Sequence, residues 1–198
     1  MALDELAAAL ADVDGWLSLE EAAGLAHLAR TAPGDGRPFR AVEIGSWKGR
    51  STIALALGVR KRLEGGTLWA VDHHRGSAEH RQMYGNVDTY AEFWRNVGRA
   101  GLQDVVRPLV MTSHAASARF MPRSVQLLWV DGSHDYASVR QDLDDWLPRL
   151  APRAVAAFDD IGWPGVARAL QERVLRPRSG FTRVRQVGKM AIFQYGLA

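Results

Sequence analysis

Hydrophobic and polar positions change their period along this chain, and the changes mark its elements. From Met1 to about Arg30, Ala and Leu dominate in two helical pieces, and Ser18 with Glu21 forms a capping-box signature ahead of the second. Thr31 to Pro38, rich in Gly and Pro, ends that helix. From Phe39 onward, short apolar runs alternate with longer amphipathic ones. Strands are predicted at Arg40 to Gly45, Thr67 to Asp72, Val105 to Val110, Val125 to Asp131 and Arg153 to Asp159, with helices at Gly49 to Arg62, Val87 to Ala100, Ser113 to Phe120 and Tyr136 to Leu150. The last is the clearest: Tyr136, Val139, Leu143, Trp146, Leu147 and Leu150 recur at helical spacing, with Asp142, Asp144 and Asp145 on other faces. Strands without polar alternation, separated by helices, imply a parallel sheet covered on both sides.

After a further helix at Pro164 to Val174 the order changes. Phe181 to Val187 and Lys189 to Tyr195 are strand-like runs joined through Gly188, with no room for a crossover helix, so they must pair as an antiparallel hairpin. The expected architecture is therefore α/β: a doubly wound seven-stranded sheet, mostly parallel, with a C-terminal antiparallel hairpin and preceded by N-terminal helices. No repeat or second boundary interrupts it, so 1–198 read as one domain, a helical cap at 1–38 and a core at 39–198. The polar stretch His73 to Asn86 is the long insertion, and its place after a strand predicts a lid or substrate loop.

Composition narrows the function classes. With 198 residues, 47% hydrophobic and 24% charged, the chain has the make-up of a soluble globular domain rather than a disordered or fibrous one. The absence of cysteine excludes a disulfide scaffold, a thiolate zinc site and a cysteine nucleophile. Net charge is +3, and the 22 arginines that accompany three lysines are scattered rather than gathered in a basic block, which argues against a nucleic-acid partner. No leader pattern and no run of 18 apolar residues occurs, so a cytoplasmic chain without a membrane partner is expected.

Ligands of open α/β sheets bind beyond the carboxyl ends of the strands. The first strand delivers Glu43-Ile44-Gly45-Ser46-Trp47-Lys48-Gly49-Arg50-Ser51-Thr52. Its glycines permit a tight turn and close approach to a ligand, and the helix that follows offers free N–H groups to an anion. Trp47 stands where a dinucleotide fingerprint needs its second glycine, and the phosphate-loop pattern also fails, so a smaller anion such as a carboxylate is expected. Asp72, ending the second strand, can accept hydrogen bonds from a ribose diol. The bland alternative is a tight strand-to-helix turn and nothing more.

Through E-x-G-x-x-x-G at Glu43 to Gly49, the acid Asp72 and the terminal hairpin, the sequence resembles the class I S-adenosylmethionine (SAM)-dependent methyltransferases over about Arg40 to Tyr195. The resemblance implies a Rossmann-like catalytic core. It also implies that Glu43, Gly45, Ser46, Gly49 and Ser51 surround the methionine end of SAM, that Asp72 holds its ribose and that Ser113 lies near the adenine.

A second constellation lies at the ends of the fourth and fifth strands. Asp131, Asp159 and Asp160 sit at neighbouring carboxyl ends, and adjacent strands are only about 4.8 Å apart. Three carboxylates would repel one another without a cation, and hard oxygen ligands suit Mg²⁺, or Mn²⁺ or Ca²⁺. Some of these acids can instead cap helices: Asp135 ahead of the next helix, and Asp160 ahead of the turn at Ile161 to Pro164. His134, three residues past Asp131, is the candidate general base, a structural hydrogen bond to a carbonyl being the alternative. His73, His74 and His80 match no tight metal motif and are assigned to the lid, with His73 close enough to touch a cofactor; His27 reads as structural and His114 as a border of the adenine pocket.

V-D-G-S-H-D-Y followed by a helix and F-D-D resembles the metal-dependent small-molecule O-methyltransferases of the macrolide-sugar and cephalosporin-pathway group, and more distantly the catechol and caffeoyl-CoA enzymes. That resemblance implies Asp131, Asp159 and Asp160 as Mg²⁺ ligands and His134 as the base that takes a proton from a sugar, diol or catechol-like hydroxyl. The pair here is Asp-Asp where sugar-modifying relatives often carry Glu-Asp, and the long N-terminal extensions of some relatives are missing, so acceptor identity does not transfer. Alternatives from other classes are a metal-independent N- or C-methyltransferase and a non-catalytic SAM-binding regulatory module. The N-terminal helices are expected either to cover the site or to pair with a second subunit in a homodimer.

Overall fold

The computed structural model describes residues 3–196; Met1, Ala2, Leu197 and Ala198 lie outside the described residues, and with them the ends of the expected cap and core. Two helices open the chain, α1 at Leu3–Leu10 and α2 at Leu19–Thr31. Ser18 caps α2 as its spacing with Glu21 predicts: the Glu21 N–H donates to Ser18 Oγ at 3.2 Å, and the Ser18 N–H donates back to Glu21 Oε2 at 2.9 Å.

The core alternates β1 (Phe39–Ile44), α3 (Arg50–Arg60), β2 (Gly66–Val71), α4 (Ala78–Tyr84), α5 (Tyr90–Arg99), β3 (Val106–Leu109), α6 (Ser113–Ser117), β4 (Val125–Val130), α7 (Tyr136–Trp146), β5 (Leu150–Phe158) and α8 (Pro164–Arg173). The chain ends with β6 (Phe181–Val187) and β7 (Met190–Tyr195). All seven predicted strands form one sheet in the order β3-β2-β1-β4-β5-β7-β6, parallel except where β7 pairs with β5 and β6.

Three boundaries differ from expectation for local reasons. Helix α7 stops at Trp146, and Leu147 to Arg149 tighten into a 3₁₀ turn, because Pro148 has no N–H and disfavours α geometry before it. Strand β5 begins at Leu150 rather than Arg153; a register irregularity between Val125 and Leu127 of the partner strand lets the ladder absorb Pro152, and Arg153 adopts a φ of 65°. The His73 to Asn86 insertion is not all loop, since it holds α4, whose N-terminus is closed by a reciprocal Ser77 and His80 cap.

Neighbouring residues on the central strands point to opposite faces, and both faces are buried, which is why the strands show no polar alternation. Ala41, Leu68, Leu127 and Trp129 pack under α1, α2, α3 and α5, whereas Val42, Ile44, Leu128 and Val130 pack under α6, α7 and α8. The pairing register places Ile44, Val71, Val130 and Phe158 in one row. The residues that follow, Gly45, Asp72, Asp131 and Asp159, therefore leave the sheet side by side. Their N–H groups donate back to the carbonyls of Val71, Leu109, Ile44 and Val130 at 2.9, 3.2, 2.8 and 3.0 Å, so the edge of the sheet is held rigidly up to the first loop residue.

Candidate active site

A cavity of about 1030 Å³ lies over that row of strand ends. Gly45, Ser46, Ser51, Asp72, Ser113, Asp131, His134, Asp159 and Asp160 all line it, so most of the residues singled out in the sequence meet in one place. Glu43 and Gly49 stand behind the wall.

At one end is the loop between β1 and α3. Gly45 has a φ of 84°, and a Cβ there would lie 2.0 Å from the Asp131 carbonyl oxygen, so only glycine lets β1 turn against β4. Glu43 is fully buried beneath the loop and accepts hydrogen bonds from the hydroxyls of Ser51 and Thr52. Its carboxyl braces the start of α3 and lies beneath the loop rather than in the cavity wall. Burial pushes its pKa up to about 8, against the pull of the two hydroxyls. Asp72 is half-buried; its Oδ2 accepts from the N–H groups of Ser46 and Trp47 at 3.0 and 2.9 Å, and its Oδ1 from His74 at 2.7 Å. Ser46 Oγ and Trp47 Nε1 are buried beside the cavity without hydrogen-bond partners.

Farther along, the Ser113 hydroxyl at the start of α6 accepts from Trp146 Nε1 at 2.7 Å. Asp142, off the apolar stripe of α7, joins it in the cavity wall. The helix docks with its first turns against the strand ends, so Asp142 is 8% exposed and burial pushes its carboxyl up to about 6, opposed by Ser113. Asp135 caps α7, its Oδ1 accepting from the Ser138 N–H at 3.0 Å.

At the other end the acids converge. Asp131, His134 and Asp160 each bring a ligand atom to within 4.8 Å of the others. His134 lies between two carboxylates, with Nε2 3.0 Å from Asp160 Oδ2 and Nδ1 3.3 Å from Glu79 Oε2 of α4, and its ring stacks on Trp163. The Asp160 carboxylate beside Nε2 is the main reason its pKa is raised, with Glu79 adding to it and burial opposing. Burial, then the charge of Asp159, pushes Asp131 well up. Asp160 is held low by His134. Its side chain caps no helix; α8 begins at Pro164 without a side-chain cap.

A residue absent from the sequence-based candidates completes this end. Lys189 Nζ lies 2.7 Å from Asp159 Oδ2 and 3.1 Å from Asp160 Oδ1. Two of the three carboxylates expected to hold Mg²⁺ are therefore already arranged around an ammonium group of the chain itself. A divalent cation drawing on Asp159 Oδ2 and Asp160 Oδ1 would have to displace Lys189 Nζ, whereas Asp131, His134 and Asp160 form a grouping that could itself hold a metal ion. The signal in the sequence was faint: Lys189 follows the turn glycine of the hairpin and is one of only three lysines among 22 arginines.

The lid and the cap supply the remaining walls. Trp16 stacks on His80 at 5.2 Å, and Trp47 packs against His80 at 4.4 Å, so the segment before α2, the glycine loop and α4 meet in one aromatic cluster. The N-terminal segment thus covers the site, the first of the two roles expected for it. His74 belongs to the core instead, 2% exposed, with Nδ1 2.9 Å from Thr89 Oγ1. His73 lines the cavity, His27 is exposed on α2, and His114 at the cavity rim lies 2.9 Å from Asp145.

The strand order, the glycine turn after β1 and the acid after β2 together define a Rossmann-like methyltransferase fold. Solved structures agree: a Corynebacterium glutamicum protein matches with a TM-score of 0.74 at 19% identity, covering 98% of this chain and 91% of that one. The O-methyltransferase TomG of Streptomyces achromogenes, solved with SAM, matches at 0.67 and 17% identity over 98% and 89% of the two chains. A Bacillus cereus O-methyltransferase solved with S-adenosylhomocysteine (SAH) matches at 0.66 and 20% over 98% and 90%. The family model described as a methyltransferase domain matches residues 42–161, more than half of the sequence, and the chain belongs to that family. A Sinorhizobium fredii protein named uncharacterized protein y4gI is 35% identical over 126 residues, 63% of this chain; the chain spans only 13% of that relative's length. Among the described residues no helix is long and apolar enough to cross a membrane.

Proposed function

We propose that this chain is a SAM-dependent O-methyltransferase acting on a small molecule with a sugar-like, diol or catechol-like hydroxyl. The observation that carries this reading is that one cavity joins the glycine loop and Asp72 to the His134 and acid cluster, so a methyl donor and an oxygen acceptor would meet inside it. The O-methyltransferases of like fold, one solved with SAM and another with SAH, support the assignment of the donor.

In this reading Gly45, Ser46 and Ser51 face the methionine end of SAM, where the buried Ser46 Oγ and Trp47 Nε1 still need partners. Asp72 binds the ribose. An ionised carboxylate offers about four acceptor positions. Three are taken by N–H groups, which leaves one for a ribose hydroxyl and fixes the direction from which it arrives. Ser113 and Asp142 border the adenine.

The sulfonium methyl is already electrophilic, so the protein has to align oxygen, carbon and sulfur and take the hydroxyl proton. His134 is the base. Its raised pKa moves the neutral, proton-accepting form to higher pH than in an ordinary histidine. Lys189 stands beside two of the carboxylates that the sequence assigns to Mg²⁺.

Labelled-methyl transfer from SAM to a panel of diols, catechols and sugars tests the proposal, with mass spectrometry to locate the new methyl ether. Transfer to oxygen is expected. Methylation of nitrogen or carbon alone, or SAM binding without turnover on any acceptor class, would overturn it.

A further inference from the structure

Lys189 stands where the β6–β7 hairpin turns, and its backbone is gripped from two sides. Its N–H donates to Glu21 Oε1 at 3.0 Å, and its carbonyl accepts from the Ile161 N–H at 3.2 Å. Glu21 is itself held, 4% exposed and engaged by Ser18 in the capping box of α2. Gly188 makes the approach possible, since it adopts a φ of 54° and a Cβ there would lie 2.3 Å from Glu21 Oε1. The N-terminal cap, the hairpin and the turn after β5 therefore cooperate to aim one side chain into the acid cluster, where a third of it remains exposed to the cavity.

The spacing around Nζ is that of charge-assisted N–H···O bonds, longer than the 2.0–2.6 Å at which oxygen ligands close on Mg²⁺ or Ca²⁺. Asp159 Oδ2 and Asp160 Oδ1 cannot close on a dication without giving up an ammonium group whose backbone is fixed at both ends. Burial disfavours the charge on Lys189, yet the hydrogen bond and charge of Asp159, joined by Asp131 and Asp160, hold the ammonium protonated.

We propose that Lys189 is the resident cation of the acceptor site: its ammonium takes the place that the sequence assigns to a divalent metal and binds the acceptor oxygen directly, making methyl transfer metal-independent. The inference rests on the reading that the acceptor enters at this end of the cavity. In the reaction the hydroxyl proton passes to the neutral imidazole of His134, the oxygen lone pair forms the new C–O bond, and the S–C electrons remain on sulfur. Lys189 donates a hydrogen bond to the developing oxyanion and is unchanged at the end.

The test is a Mn²⁺ titration of chelator-treated, SAH-loaded protein, read by electron paramagnetic resonance and calorimetry. Wild type is expected to show no stoichiometric Mn²⁺ site below about 1 mM, and Lys189→Ala to gain one at least about tenfold tighter, because three carboxylates then surround an open position. Wild-type methyl transfer is expected to be unchanged by EDTA. A wild-type Mn²⁺ site, activity lost in EDTA and restored by Mg²⁺, or a variant that binds Mn²⁺ no better than wild type would each overturn the proposal. If Lys189→Ala does not fold, Lys189→Met keeps the length of the stem and carries the same test. Loss of SAH binding by wild type would instead sink the methyltransferase reading, and the Mn²⁺ titration can be run without SAH, so the two failures are distinguishable.

Discussion

The two ends of the cavity hold their acids in opposite ways. At the glycine loop, Glu43 is buried against two hydroxyls and Asp72 is caught by three backbone N–H groups, all from residues within 30 positions in the chain. At the far end, Asp159 and Asp160 are answered by titratable side chains: the ammonium of Lys189 from the hairpin and the imidazole of His134 from the loop after β4. Backbone-held acids give a geometry that follows directly from the turn. Acids held by titratable side chains give one that responds to pH, to added cations and to whatever enters the cavity.

The largest effect is expected where the two ends share backbone. Gly45→Val would drive a Cβ against the Asp131 carbonyl at a positive φ, and should cost about 3 kcal/mol or more of stability. Denaturant melts with and without SAH check this; a variant that is stable and still binds SAH would show that the strand ends are less tightly locked than the register implies.

His134→Ala should lower turnover by about 10²–10⁴-fold while changing acceptor KM little, as removal of a general base does. Wild-type turnover should rise with pH above 6.5, because the raised pKa keeps the imidazole protonated below that point and unable to accept a proton. A rate that is flat or falls through this range would take His134 out of the proton transfer.

Glu43 separates a brace from a charge. Glu43→Ala leaves the Ser51 and Thr52 hydroxyls without their acceptor and should cost about 2–4 kcal/mol, whereas Glu43→Gln, which resembles the protonated acid, should cost about 1 kcal/mol or less at neutral pH. The folded-state pKa of about 8 lies above the ordinary 4.5, so the folded chain binds more protons than the unfolded one over that interval. Stability contributed by Glu43 is complete below pH 4.5 and is lost as pH rises through about 8. Stability measured across that range should decline more steeply in wild type than in Glu43→Gln; parallel curves would mean that Glu43 is ionised in the fold.

The smallest effect is expected at Ser113→Ala. The Trp146 indole N–H loses its acceptor at a cost of about 1–2 kcal/mol, and SAH affinity should fall only a few-fold, roughly 1 kcal/mol. A loss of SAH affinity far beyond this would give Ser113 a larger share of binding than its place at the cavity wall implies.

Much of the molecule was legible because its information is local. Apolar runs such as Val125 to Val130 and the helical spacing from Tyr136 located the layers, and the antiparallel hairpin followed from the lack of residues for a crossover. The acids at the strand ends were legible for the same reason, since ending a parallel strand fixes where the next side chain emerges. For Asp142, periodicity shows that a polar residue leaves the apolar stripe of its helix, but not whether that face meets solvent or a cavity. His74 resembled its histidine neighbours in the sequence and yet packs in the core against Thr89 and Phe93, a distinction made by the turn of the chain after Asp72.

By itself the sequence determined the doubly wound sheet, the glycine turn after β1 and the gathering of Asp72, Asp131, Asp159 and Asp160 along one edge, because strand period and strand endings are properties of short segments. Only the tertiary structure decided what answers those acids. Lys189 reaches Asp159 from 30 residues away and is steadied by Glu21, 168 residues distant, so the cation of the site depends on packing between the two ends of the chain. No local pattern encodes that contact: an ammonium on a flexible stem becomes a fixed charge only when the elements that grip its backbone are already in place.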